Sequence, residues 1–178
     1  MSTGKIQVYY GAGRGKTSAA LGYAIHEASK GESVIVIQFL KRKDEDEISF
    51  LGRLEPEIRL FRFQKSEKYY NELPDEGQLE EQMNMKNGIN YARKVLQTGE
   101  CNILILDEVL SVGDKKFRQK SENKVMSMFD KGVTVLFVSH SLEQVKRLCD
   151  RAIILDSGRL VAEGPVDKIA RVYKNMTE

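Results

Sequence analysis

Cysteine is scarce in this chain: two thiols, Cys101 and Cys149, stand among 178 residues. Two are too few for a disulfide framework. Neither has a histidine or second cysteine near it at metal-ligand spacing, so both read as reduced, buried or half-buried thiols. Charge of one sign is equally lacking. The 28 Lys and Arg stand against 26 Asp and Glu, a formal net charge of +2, with the two signs well mixed. A bulk attraction to nucleic acid or to a membrane surface is therefore not implied. No apolar run approaches the roughly 20 residues of a membrane span. The N-terminus lacks the apolar core of a signal peptide. A soluble, cytoplasmic chain is expected, of a length that fits one domain with a sizeable core.

What is present is organised around Lys5–Thr17, KIQVYYGAGRGKT. An apolar, β-branched and aromatic run stops at Gly11, three glycines follow within five residues, and an alanine-rich helical stretch begins at Lys16. Strand, glycine loop and helix in that order make a phosphate cradle. Glycines let backbone N–H groups converge on an anion, and the helix N-terminus adds partial positive charge. The candidate nucleotide-binding residues are Gly11, Ala12, Gly13, Arg14, Gly15, Lys16, Thr17 and Ser18. Lys16 supplies a point charge for the outer phosphates, and the Thr17 hydroxyl is a Mg²⁺ ligand. Aligned on Gly15-Lys16-Thr17, the first glycine of G-x-x-x-x-G-K-[ST] should fall at Tyr10. It comes one residue late, at Gly11.

The remaining pattern is that of an α/β chain: a P-loop-type three-layer fold, with a mostly parallel sheet and helices on both faces. Lys16–Lys30 is a helix stopped by Gly31. Ser33–Leu40, SVIVIQFL, is a nearly unbroken apolar strand, as a sheet covered on both faces requires. Lys41–Glu47 is a charged loop. Ile48–Leu54 reads as a short helix and Ile58–Phe63 as a strand. Tyr69 and Tyr70 read as rings packing a loop onto the core. A long helix runs from Pro74-Asp75 to Thr98, with Leu79, Met83, Ile89, Ala92 and Leu96 on its apolar face, and Gly99 closes it. Asn102–Leu106, NILIL, is a buried strand leading into Asp107-Glu108. Two carboxylates there suit a phosphoryl-transfer site: Asp107 orients the magnesium's water shell and Glu108 activates a water. Val133–Val138 is a further strand, ending at Ser139-His140. Ser141 and Gln144 form a capping box. Ala152–Asp156 and Arg159–Glu163 make a hairpin about Ser157-Gly158, and Pro165 opens a terminal helix to Met176. Asn102–Leu106 and Val133–Val138 are expected to flank the P-loop strand, with Arg159–Glu163 as an antiparallel edge.

From Lys5 to Val109 these residues resemble the P-loop type of ATP:corrinoid adenosyltransferases. The segments KIQVYYGAGRGKTSAALGYA, VIVIQFLK and LILDEV carry the resemblance. That family has the same late glycine. The resemblance implies ATP as cofactor and a corrinoid as partner. It also implies a triphosphate lying reversed in the loop and held by Gly11, Gly13, Gly15, Lys16 and Thr17, so that the ribose 5′ carbon faces reduced cobalt. The family's Gly-Phe-Thr-Trp stretch has no counterpart, and Gln64–Asn71 stands in its place.

Beyond Val109 the resemblance changes. LILDEVLSVGDKKFRQK and VTVLFVSHSLEQVKRLCDRAIILDSGRLVAEGPVDKIARVY are similar to the C-terminal part of ABC-transporter ATPases, of the polysaccharide and teichoic-acid exporter subgroup. This second resemblance, over 104–174, implies Asp107 as the Walker B acid and Glu108 as the general base. It implies Ser111–Asp114 as the D-loop and His140 as the histidine that senses the γ-phosphate. The Leu-Ser-Gly-Gly-Gln signature of those enzymes is missing from its place, Glu80–Ala92. The chain thus reads as a chimera within one P-loop domain over 1–178: an adenosyltransferase-like part, 1–109, and an ABC-like part, 110–178, joined at the Leu-Asp-Glu both share. Three functions follow: a nucleotide-binding domain with weak or no turnover, a corrinoid adenosyltransferase, or an ABC-type ATPase subunit.

Overall fold

The computed structural model describes residues 6–11, 15–39, 50–66, 68, 70–108, 115–126, 133–139 and 141–177. The strands are β1 Ile6–Tyr10, β2 Val34–Gln38, β3 Ile58–Arg62, β4 Ile103–Asp107, β5 Thr134–Ser139, β6 Arg151–Asp156 and β7 Arg159–Pro165. The helices are α1 Lys16–Ala28, α2 Asp75–Thr98, α3 Lys115–Met126, α4 Leu142–Leu148 and α5 Val166–Thr177. The strands form one seven-stranded sheet in the order β3-β2-β4-β5-β1-β6-β7. All pairings are parallel except β6–β7, which is antiparallel at the edge, as expected.

One expectation fails in this order. The Asp107 strand, β4, does not touch β1; β5 lies between them, and β1 is flanked by β5 and β6. Spacing along the chain cannot reveal this, because β4 and β5 are equally apolar and either could fill the central position. The consequence is an interlock. Every pairing partner of the glycine-loop strand comes from beyond residue 109.

Because β2, β4 and β5 are central, their runs are apolar on both sides, and each is buried almost throughout. On one face Val8, Ile37, Leu104, Leu106 and Phe137 pack against α2 through Ile89 and Ala92, α4 through Leu148 and α5 through Ile169. On the other face Val36, Ile105, Leu136 and Val138 meet Ala20 and Ala24 of α1. Small residues on α1 bring it close to the sheet, which holds the helix N-terminus beside the strand ends.

Helix α2 begins after Pro74 with Asp75 and Glu76 in its first turn, favourable to the dipole, and ends at Gly99 in the left-handed conformation with φ 67°. Its apolar face is not the expected one. Ile89, Ala92 and Leu96 are buried, but Leu79 and Met83 are 61% and 66% exposed, while Glu81, Met85 and Gly88 turn inward. A helix of 24 residues spans about 36 Å, roughly twice a five-residue strand, so its first turns overhang the sheet.

The capping box at Ser141 also fails. Ser141 is the N-cap but makes no side-chain cap bond. The Gln144 Oε1 accepts instead from the Ser139 hydroxyl at 3.4 Å, and the Ser141 N–H donates to the same Ser139 oxygen at 3.1 Å. The hairpin is as expected, with Ser157 and Gly158 both at positive φ, 49° and 76°, as a tight turn matching strand twist requires. Tyr70 packs its loop onto the core, and its hydroxyl accepts from Gln82 Nε2 at 2.6 Å. Lys41–Glu47, Tyr69 and Ser111–Asp114 lie outside the described residues.

Gly88 sits where α2 crosses two rings. A Cβ there would lie 2.6 Å from Phe39 Cε1 and 3.0 Å from Phe63 Cδ2. Alanine gains about 1 kcal/mol of helix propensity, but overpacking costs about 1–3 kcal/mol. Phe39 is fully buried and has nowhere to go, so the clash wins. Gly88→Ala is expected to lower the melting temperature by about 2–4 °C in a thermal scan; a rise would show that the two rings can part freely.

Candidate functional site

In the parallel part of the sheet the carboxyl ends of the strands share one edge, where α/β proteins place ligands. Gly11, Phe39, Glu108 and Ser139 all stand at or just past those ends. Gly11 follows β1 with φ 146°, and a Cβ there would lie 2.1 Å from the Leu155 carbonyl oxygen of β6. Gly15 caps α1 with φ 102°, and a Cβ there would lie 3.5 Å from Gly158 Cα in the hairpin turn. Both glycines hold left-handed backbone, and at Gly11 the close approach of β6 also leaves no room for a side chain, whereas at Gly15 the hairpin turn stands at ordinary contact distance.

The late glycine has a packing reason. Position 10 is still strand, and its tyrosine is 2% exposed. The Tyr10 ring meets Tyr173 of α5 edge-on, with centroids 4.4 Å apart and planes at 70°. Burial, then the hydrogen bond to Tyr173, pushes the Tyr10 phenol well above its ordinary range. A glycine at this position would empty that part of the core.

Lys16, Thr17 and Ser18 form the first turn of α1; Lys16 is buried and Ser18 exposed. The Thr17 hydroxyl donates to the Asp107 carboxylate, 3.0 Å to Oδ2 and 3.3 Å to Oδ1. Asp107, at the end of β4, is 1% exposed. Two expected metal ligands 90 positions apart in the sequence are thus brought together. Both offer hard oxygen donors, and such a pair fits Mg²⁺, which takes one or two protein ligands and leaves the remaining positions to phosphate and water. Among the described residues no group of three or more His, Cys, Asp or Glu is placed to hold a metal ion.

Glu108 follows directly, at φ 60°. A left-handed residue other than glycine costs about 1–2 kcal/mol, and such strain gathers at functional sites. Its N–H donates to the Val138 carbonyl at 3.0 Å, which ties the turn to β5. Ala12, Gly13, Arg14 and His140 lie outside the described residues.

Sequence reasoning missed Gln38 and Arg62. Gln38 is wholly buried, an amide within the apolar run VIVIQ. Its Nε2 donates to Asp107 Oδ2 at 3.2 Å, and its Oε1 accepts from Arg62 Nε at 2.7 Å. The glutamine ending an otherwise apolar strand was the available signal. Both thiols are buried, as expected, and desolvation raises them, Cys101 to about 11 and Cys149 to about 12. They stay protonated and unreactive near neutral pH.

A glycine loop before a helix N-terminus, with its threonine bonded to a strand-end aspartate, defines a P-loop nucleotide-binding domain. The family model of the ATP:corrinoid adenosyltransferases BtuR/CobO/CobP matches residues 2–137, and the chain belongs to that family. The match runs past Val109 and ends within β5. Part of the chain is also similar to exporter ATPases. It is 42% identical over 80 residues to the O-antigen export system ATP-binding protein RfbB of Klebsiella pneumoniae, covering 45% of this chain and 32% of that one. It is 43% identical over 77 residues to the teichoic acids export ATP-binding protein TagH of Levilactobacillus brevis, covering 43% and 21%. The chain therefore spans a third or less of the length of these curated relatives. Two solved structures share its fold. A KaiC-like protein of Pyrococcus horikoshii superposes with TM-score 0.58 at 17% identity, over 87% of this chain and 74% of that one. CbiO1 of Clostridium perfringens, part of an ABC transporter complex, superposes with TM-score 0.54 at 13% identity, over 98% and 82%. No helix among the described residues is long and apolar enough to cross a membrane.

Proposed function

We propose that the chain binds ATP with Mg²⁺ at Gly11–Ser18, with Thr17 and Asp107 as metal ligands and Glu108 and His140 as the catalytic residues, and that it turns ATP over weakly or not at all. The observation that carries this is the Thr17–Asp107 contact, made between the first turn of α1 and the end of β4. On this reading the chain is one cytoplasmic domain of two parts, 1–109 and 110–178, a chimera of an adenosyltransferase and an exporter-type ATPase. The partial identity to RfbB and TagH beside a family match over 2–137 supports the dual parentage. The placement of β5 and β6 on either side of β1 explains how two such parts would still make one sheet.

Lys16→Ala tests the binding site. Removing the charge-assisted contact, worth about 1.5–3 kcal/mol, should weaken ATP binding about ten- to a hundredfold in calorimetry; unchanged affinity would sink the assignment. A second reading, adenosyl transfer from ATP to a reduced corrinoid, is favoured by the family match. Formation of an adenosylated corrinoid, followed by absorbance, would establish it in place of the first. ATP hydrolysis that rises steeply with protein concentration would instead point to an ABC-type subunit.

A further inference from the structure

We infer that Gln38 and Arg62 are positioning residues for the Asp107 carboxylate, and that through it they set how strongly Mg²⁺ tightens nucleotide binding. This rests on the proposed nucleotide site and adds two residues to it. The strand register places the three side chains in one row across neighbouring strands: Arg62 of β3 opposite Gln38 of β2, and Gln38 opposite Asp107 of β4. The bonds follow that row, from Arg62 Nε to Gln38 Oε1 at 2.7 Å and from Gln38 Nε2 to Asp107 Oδ2 at 3.2 Å. The amide can lie only this way round. A guanidinium only donates and a carboxylate only accepts, so the amide oxygen must face Arg62 and its NH₂ must face Asp107.

A fully buried amide is costly unless both ends are bonded. A leucine or valine would suit the β2 run better on hydrophobic grounds alone, since its other four residues are apolar and buried. The row gives the glutamine a purpose. It adds a second donor to the carboxylate from the neighbouring strand, on the same face of the sheet as α1, while Thr17 meets the same Oδ2 at 3.0 Å. Arg62 polarises the amide and strengthens its N–H toward Asp107. Partners of this kind, one bond removed from a metal's ligand, typically change metal affinity about 10- to 100-fold when removed.

The test is calorimetry of ADP binding with saturating MgCl₂ and again in EDTA, for wild type, Gln38→Leu and Arg62→Met, with thermal scans of each. In Gln38→Leu the affinity gained from Mg²⁺ should fall about tenfold, while affinity in EDTA changes less than twofold. Arg62→Met, at a half-buried side chain, should move the same ratio in the same direction by about threefold, and it keeps the inference testable if Gln38→Leu does not fold. A lower melting temperature with the Mg²⁺ gain intact in either folded variant would make the row merely structural and overturn the inference alone. A wild type whose ADP affinity ignores Mg²⁺ would overturn it together with the proposed site.

Discussion

Gly11→Ala is expected to be the most damaging single-methyl change in this protein, with a stability loss of about 2–5 kcal/mol. Two terms add. The backbone at Gly11, φ 146°, lies where a side chain is strained, at about 1–2 kcal/mol. The added Cβ would also lie 2.1 Å from the Leu155 carbonyl oxygen. That contact is with backbone of β6, one residue past its last pair with β1 and still paired with β7 at Leu160, so no side-chain rotation relieves it, and overpacking of this kind costs about 1–3 kcal/mol. Relief requires β6 to move away from β1 or the loop to change course, and either displaces the start of the phosphate cradle. Urea unfolding should show the loss, and ATP affinity should fall with it. A variant as stable as wild type would mean that Gly11 and Leu155 are not neighbours in solution.

Hydrolysis of ATP is expected to be slow or undetectable, and no adenosylated corrinoid is expected. The developing charge on a transferred phosphoryl group has to be matched by positive groups, and an arginine finger alone is worth about 10³–10⁵ in rate. Exporter-type ATPases, as the resemblance implies, use a signature loop for that purpose. The corresponding stretch here, Glu80–Ala92, is uninterrupted helix in α2, with Met85, Ile89 and Ala92 committed to the core. On the proposed reading Glu108 orients a water, but orientation lowers the barrier only in part. A phosphate-release assay at saturating MgATP decides the matter. Turnover on the order of one per second, abolished by Glu108→Gln, would reveal a complete catalytic site and overturn the expectation.

The glycine loop, the first turn of α1 and the acidic pair at the end of β4 were legible in the sequence because each is a local pattern whose chemistry is carried by adjacent residues. The strand segments were legible for a related reason: runs such as VIVIQ and ILILD are apolar at successive positions, and only a strand covered on both faces uses them so. The order of those strands was not legible. β4 and β5 are interchangeable by hydrophobicity, and which lies next to β1 depends on how the crossovers pack. The inward face of α2 was misjudged for the same kind of reason. Periodicity gives a helix's apolar stripe but not how far the helix overhangs the sheet, so Leu79 and Met83 emerged exposed while Glu81 went in, its Oε1 accepting from the Lys65 and Ser66 N–H groups at 3.0 and 2.8 Å.

The sequence by itself determined that a phosphate loop and a strand-end aspartate are present, since local chemistry is written in neighbouring residues. Tertiary structure alone decided that Thr17 touches Asp107 across 90 positions, that Gln38 and Arg62 stand behind that aspartate, and that Leu155 closes on Gly11. Those contacts are set by strand order and register, and both are properties of the assembled sheet that no single stretch of the chain encodes.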